Sequence, residues 1–380
     1  MSLCPHKKLC GACPLLDVEY EEQLARKRAA VEAAFAAEGL KNVRVAPVCG
    51  MDAPFHYRSK VIVSVSERAG KTVYGLYEES SHNTVYTPSC LLQSEALNAV
   101  LATMKTAMDA LHIRPYGFGG VLKNILLRES GRNGDIMVVF VTSADMFHGG
   151  RDLTRKLVAT HPRIRTIVQN VQPRRTSVVL GDRERVMYGP GFILDAIAGH
   201  VFKISAQSFF QVNPKQTERL YAKALELAQI APTDTVMDAY CGTGTIGICA
   251  SSFAGRVIGV EINRAAVRDA IMNARVEDLR NIDFVCADVK EFMRGFGAKV
   301  DVLIIDPPRS GCDEAFISAV LRLRPGRIVY ISCNPITQAR DVRMLQKAYR
   351  VDSDAYPFDM FPHTAHTECV LRLSMADFAR

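Results

Sequence analysis

Two rhythms of hydrophobic and polar positions divide the chain near residue 208. Before it, short apolar runs predict strands. Val61-Ile62-Val63-Ser64-Val65, Ile136-Met137-Val138-Val139-Phe140 and Thr166-Ile167-Val168 are examples. Helical spacing interrupts them. Leu24, Val31 and Phe35 predict a helix from about Glu21 to Gly39, where the glycine supplies a stop. Another helix is predicted around Ser94–Ala110. From about Val43 to Ala206 the mixture reads as an α+β domain. The first 16 residues are dense in Cys and Pro and read as irregular loop.

After about Ser208, apolar strands alternate with helical stretches. Thr235–Ala239, Arg256–Glu261, Ile282–Ala287, Asp301–Ile305 and Arg327–Ser332 predict buried parallel strands. Further strands are predicted near Arg350–Phe358 and Glu368–Ser374. A repeated β-α pattern implies a doubly wound parallel sheet, which binds ligands at the carboxyl ends of its strands. We expect two domains, residues 1–205 and 206–380, with the helix near 21–39 packing on the second.

Composition narrows the class. Hydrophobic residues make up 48% of the chain, which excludes a disordered polymer. A net charge of +7 suits a nucleic-acid partner without requiring one. No apolar run reaches the length of a membrane span, and Met1–Lys8 lacks the apolar stretch of a secretory signal. A cytoplasmic protein is expected. Its 11 cysteines are then poorly explained by disulfides, so metal ligation and nucleophilic chemistry come forward.

Asp238-Ala239-Tyr240-Cys241-Gly242-Thr243-Gly244-Thr245-Ile246-Gly247 follows the first strand of the second unit and opens a helix. Its glycines fit G-x-G-x-x-G, so a dinucleotide must be weighed. Glu261, Asp288 and Asp306 close the next three strands, the last in Asp306-Pro307-Pro308-Arg309. This series of acidic strand ends favours S-adenosylmethionine (SAM) over NAD. Each acid alone could be a solvated loop residue or a helix cap.

Cys333 ends the fifth strand, in Ser332-Cys333-Asn334-Pro335. Most core cysteines are inert small hydrophobes. Beside a methyl donor, however, a thiolate can add to carbon 6 of uracil and make carbon 5 nucleophilic. A base must then take the carbon 5 proton. Glu368 is the candidate base, after His363-Thr364-Ala365-His366-Thr367. A metal site on those two histidines has little support from their spacing.

These motifs occur in order with Ser205-Ala206-Gln207-Ser208-Phe209-Phe210-Gln211-Val212-Asn213 and Asp359-Met360-Phe361-Pro362-His363-Thr364. Together they resemble the RNA uridine-5 methyltransferase family, from near Cys4 to the C-terminus. The resemblance implies a Rossmann-like SAM-dependent methyltransferase domain, preceded by an α+β iron–sulfur and RNA-binding domain. It implies SAM contacts from Gln211, Tyr240, Thr245, Glu261, Asp288 and Asp306, with Cys333 as nucleophile and Glu368 as base. At Thr245 the family often has Asn. Arg58, Lys60 and Arg128 would lie near RNA, whereas Phe209 and Phe210 read as core aromatics.

Cys4, Cys10, Cys13 and Cys90 could hold zinc or an iron–sulfur cluster, and spacing does not separate the two. The ribosomal branch of the resembling family carries a [4Fe–4S] cluster on this arrangement. That implies 23S rRNA as substrate; the covalent chemistry calls for a flipped or loop uridine, and a monomer is expected. DNA and membranes are not expected partners. The chain begins at the cysteines, so the small β-barrel module of many relatives is not expected. Other readings are the same reaction on tRNA or at two rRNA sites, an RNA cytosine-5 or exocyclic-amine methyltransferase, an NAD-dependent oxidoreductase, and a non-catalytic iron–sulfur RNA-binding or redox-sensing protein. Cytosine-5 enzymes place Pro-Cys where Asp306-Pro307-Pro308-Arg309 stands here. Amine methyltransferases place an aromatic where Arg309 stands.

Overall fold

The computed structural model describes residues 3–376, so the expected domain ends at Met1 and Arg380 lie outside the described residues. Helix α1 (Tyr20–Ala37) ends before Gly39, whose φ of +76° reverses the chain at little cost. A seven-stranded sheet follows, built from β1 (Lys60–Arg68), β2 (Lys71–Tyr77), β3 (Thr84–Tyr86), then, after α2 (Glu95–Ala110), β4 (Leu122–Glu129) and β5 (Ile136–Thr142). Helix α3 (Gly150–Thr160) leads to β6 (Ile164–Val171) and the edge strand β7 (Arg183–Tyr188). The order is β3-β2-β1-β4-β5-β6-β7. Only β5 and β6 pair in parallel, because α3 carries the chain back across the sheet.

The local causes are visible in the side chains. β1 buries Val61, Val63 and Val65 at every second position, and β5 is buried throughout as an inner strand. Ser94 caps α2 by accepting from the Leu97 amide at 3.2 Å. That helix buries Leu97, Val100, Leu101, Met104 and Met108 along one face.

A hairpin, β8 (Phe192–Ile197) and β9 (His200–Ser205), leads to α4 (Pro214–Ala228). Then come β10 (Thr235–Ala239), α5 (Thr245–Ser251), β11 (Arg256–Glu261), α6 (Arg264–Val276), β12 (Ile282–Cys286), α7 (Val289–Gly295), β13 (Val302–Ile305), α8 (Glu314–Leu323), β14 (Arg327–Ser332) and α9 (Pro335–Leu345). Three further strands follow: β15 (Tyr349–Val351), β16 (Tyr356–Phe358) and β17 (Glu368–Met375). The sheet order is β12-β11-β10-β13-β14-β17-β15, with β16 also on β17. β10 to β14 pair in parallel as expected, and β17 lies antiparallel to β14.

The single strand expected near Arg350–Phe358 is two. β15 pairs with the end of β17 and β16 with its start. Asp352, between them, accepts from Arg372 and Ser374 of β17 and turns the chain there.

One apolar core runs through both sheets. Leu126, Met137 and Val139 of the first join Ile193 and Phe202 of the hairpin and Val236, Val302 and Val329 of the second. Val31 and Phe35 of α1 pack with Ile305, Tyr330 and Leu345, on the other face of the second sheet. Among the described residues no helix is long and apolar enough to cross a membrane.

Candidate active site

A cleft of about 850 Å³ opens at the carboxyl ends of β10, β11, β13 and β14. The strand order reverses between β10 and β13, where an α/β sheet leaves a crevice. The glycine loop forms one wall. Gly244 has φ +79°, and a Cβ there would meet the Phe284 ring at 2.6 Å. Glu261 closes β11, and both its oxygens are engaged. Oε2 accepts from the Gly242 amide at 3.2 Å and Oε1 from the Asn263 amide at 2.7 Å. Its carboxylate is thereby held beside the loop. Thr243 donates to the Phe209 carbonyl at 3.2 Å, tying the loop to the segment that carries Gln211.

The opposite wall is built where β14 meets β17. Ser332 pairs with Cys369, so Cys333 and Glu368 emerge beside one another. Asn334 caps α9 by accepting from the Ile336 amide at 3.2 Å, and it donates to the Arg309 carbonyl at 3.1 Å. Thr337 donates to the same carbonyl at 3.4 Å. The Asp306–Arg309 turn and the Cys333 turn are thus one assembly.

Burial dominates the electrostatics. Glu368 is buried, and desolvation, with Asp306 nearby, pushes its carboxyl up to about 8. Burial lifts Asp306 to about 7. Asp238 lies beneath the loop, fully buried, and is driven well above the carboxylate range by desolvation and Asp306. Cys333 is raised to about 11 by burial, then by Glu368 and Asp306, while Arg309 opposes them. The site therefore gathers acids that lose their protons late, around a thiol that does the same. A cation entering it would be attracted and would favour ionisation of all of them.

A family description reading tRNA (Uracil-5-)-methyltransferase matches residues 193–376, which include both walls of the cleft. An uncharacterized RNA methyltransferase of Halalkalibacterium halodurans is 39% identical over 379 residues, covering 98% of this chain and 83% of the relative. The chain belongs to the RNA uracil-5-methyltransferase family. Another such relative, from Oceanobacillus iheyensis, is 40% identical over 374 residues, covering 96% of this chain and 82% of that protein. The crystal structure of Pyrococcus abyssi tRNA (uracil-54, C5)-methyltransferase in complex with S-adenosyl-L-homocysteine superposes with a TM-score of 0.79. It is 28% identical, over 96% of this chain and 86% of that one.

Within this family member the cleft is lined by Gln211, Tyr240, Thr245, Glu261, Asp306, Cys333 and Glu368. Asp288 does not line it. Its Oδ1 caps α7, accepting from the Lys290 amide at 3.0 Å. Phe210 is core, as expected, but Phe209 is 64% exposed and stands at the lip of the cleft. Arg58 reaches the cleft, whereas Arg128 is buried and donates to the Ser208 carbonyl at 2.8 Å. Lys60 lies opposite Arg128 across the β1–β4 ladder, and burial lowers its pKa to about 8.

Tyr221 and Ile262 also line the cleft without a signal in the sequence, and so does His366, weighed above only as a metal ligand. Tyr221 sits within hydrogen-bond reach of Thr245, 3.0 Å between hydroxyls. Its place on a helical core stripe gave no hint of that.

The N-terminal cysteines come together beside Arg58. Cys13 feels Cys90, Cys10 and Cys4, and Cys10 feels Cys90 and Cys4. All are free thiols. Among the described residues, no three His, Cys, Asp or Glu side chains converge tightly enough to hold a single metal ion.

Proposed function

We propose that the chain methylates carbon 5 of a uridine in 23S rRNA, with SAM as methyl donor. The observation that carries this reading is the meeting of Cys333, Glu368, Asp306 and Glu261 in one cleft at the switch point of the sheet. The cleft fits SAM on three counts. Its volume suits a nucleoside-sized ligand. Glu261 presents an oriented carboxylate to ribose hydroxyls, and Asp306 gives the pocket an acidic lining that favours a sulfonium. Gln211, Tyr240, Thr245 and Asp288 complete the binding set, Asp288 through the oxygen that does not cap α7.

Bound there, SAM supplies an electrophilic methyl group to carbon 5. The protein does the rest. The Cys333 thiolate adds to carbon 6 of a uracil flipped into the cleft, and the electron pair develops at carbon 5. After transfer, Glu368 removes the carbon 5 proton, the carbon 5–carbon 6 double bond re-forms and the thiolate leaves. Arg309 lies close enough to Cys333 to stabilise its anion.

Residues 1–205 would form the iron–sulfur and RNA-binding domain and residues 206–380 the catalytic domain. Four soft donors drawn together without disulfides fit a [4Fe–4S] cluster, whose sulfur ligands stand further apart than those of a single ion. Cys4, Cys10, Cys13 and Cys90 would hold it, and its part is to fasten the N-terminal loop near Arg58. The cluster is also the ground for preferring ribosomal RNA over the tRNA of the Pyrococcus enzyme.

The test is methylation of unmodified 23S rRNA, 16S rRNA and tRNA transcripts by anaerobically purified protein with labelled SAM, read as nucleosides by mass spectrometry. 5-Methyluridine in 23S rRNA is expected. Label confined to tRNA would refute the substrate, and 5-methylcytidine would refute the base. Cys333→Ala should abolish turnover while SAM still binds; normal turnover would sink the covalent route. Glu368→Gln should slow release by about 10²–10⁴-fold and accumulate a protein–RNA adduct. Its absence on denaturing gels would remove Glu368 from the base role.

A further inference from the structure

A group of cations and rings outside the cleft has no part in the chemistry above. It begins at an irregularity in the β4–β5 ladder: Leu122 pairs with Thr142 and Asn124 with Val141, leaving Lys123 as the extra residue. A bulge of this kind re-aims a side chain. The Lys123 ammonium stands over the Tyr116 ring, 5.4 Å from its centroid. Arg175 lies over the same ring at 5.7 Å and donates from Nε to the phenol oxygen at 3.0 Å. Among the described residues Arg174 pairs with Asp182, whereas Lys123 and Arg175 have no carboxylate partner. Phe118, two residues from Tyr116, is 44% exposed.

The group is held in place. Lys123 donates to the Gln172 and Arg174 carbonyls at 3.1 and 2.7 Å, which fastens the 173–180 loop to β4. Gln172 donates to the Val178 and Leu180 carbonyls, and Asn170 and Gly181 exchange a pair of hydrogen bonds. Val179 and Leu180 pack on the main core. An ordered arginine loses little freedom on binding an anion, unlike an ordinary solvated one. The loop also abuts the lip of the cleft: Gln207 donates to the Gly181 carbonyl at 3.3 Å, two residues before Phe209.

The geometry points to a docking surface for unpaired RNA flanking the target uridine, with Lys123 and Arg175 on phosphates and Phe118 stacked on a base. The occupant is chosen by complementarity. Cations without acids call for a polyanion, and an exposed ring beside them calls for an unstacked base, which a duplex does not offer. Tyr116 acts as the platform that aims Lys123 and Arg175. This inference rests on the proposed RNA substrate and extends it to sequence outside the cleft.

The test is fluorescence anisotropy with a labelled RNA hairpin, either blunt or carrying single-stranded tails on both strands. Phe118→Ala should weaken binding of the tailed hairpin by about tenfold and leave the blunt one within about twofold. Arg175→Gln should weaken the tailed hairpin by a similar factor. Melting temperatures of both variants should match the parent, since both side chains are at the surface. Parental affinity of both variants for the tailed hairpin would overturn the inference, as would an equal loss on both hairpins for Phe118→Ala. The readout needs no methyl transfer. Tail-dependent losses in a protein that methylates nothing would refute the proposed activity and leave this surface standing. Normal methylation with unchanged KM in both variants would do the reverse.

Discussion

A carboxyl group shielded from water gives up its proton late, and Glu368 carries that consequence into measurable behaviour. Its ordinary value of 4.5 rises to about 8 in the fold. The folded state therefore holds this proton more tightly than the unfolded chain does. Stability from this group is complete below about pH 4.5 and is lost as pH rises to about 8. Glu368→Gln should flatten that part of the stability–pH curve, with the variant gaining on the order of 3 kcal/mol over the parent above about pH 8. Chemical denaturation across this range is the measurement; parallel curves for the two proteins would contradict it. Catalysis should run the opposite way. In the proposed route both Cys333 and Glu368 must lose protons within one catalytic cycle, so methylation turnover should speed up as pH rises through about 8. A rate that falls over that interval would speak against both assignments.

At the scale of elements, α1 is bolted to the segment that precedes Glu368. Lys27 forms a fully buried ion pair with Asp359 and donates to the Phe361 carbonyl at 3.1 Å. Tyr20 donates to Asp359 at 2.8 Å. Gln23 accepts from the His363 amide at 2.9 Å and lies 3.1 Å from its Nδ1. His363 also stacks on Phe55, with centroids 4.6 Å apart. Burial pulls the Lys27 ammonium down and Asp359 draws it back up. Removing one partner strands the other charge, so Lys27→Met should cost about 3–5 kcal/mol. Calorimetry should show melting lowered by roughly 5–10 °C. A change below about 1 kcal/mol would mean that the pair is replaceable by packing alone.

At the scale of the whole molecule, the N-terminal loop, the first sheet and the cleft converge around Arg58. Its side chain lines the cleft and also feels Cys13 and Cys90. Leu15 in that loop donates to the His363 carbonyl at 3.0 Å. If a cluster fastens this corner, protein purified without oxygen should contain iron and sulfide and absorb visible light. Cys90→Ser should lose the colour and melt earlier. A colourless, iron-free parent of full activity would eliminate the cluster.

Much of this was legible from spacing alone. The alternation of apolar runs and helical stretches after Ser208 determined the parallel strands β10 to β14, because a strand buried on both faces has few other ways to be written. With the order of strand ends known, Glu261, Asp306 and Cys333 could be assigned to one edge. Chemistry brought Glu368 to the same edge, since the reaction needs a base. Tertiary structure decided what periodicity does not encode. Asp288 ends its strand as an acid, and only the fold shows that its Oδ1 also caps α7. Phe209 and Phe210 are equally apolar, and only the turn at the cleft shows which one faces water. Arg128, placed near RNA by the resemblance, is enclosed by packing, and so is Lys27 of α1. Burial is a property of what surrounds a residue, so the raised acids of the cleft, the ion pair under α1 and the bulge that turns Lys123 outward came from the assembled fold.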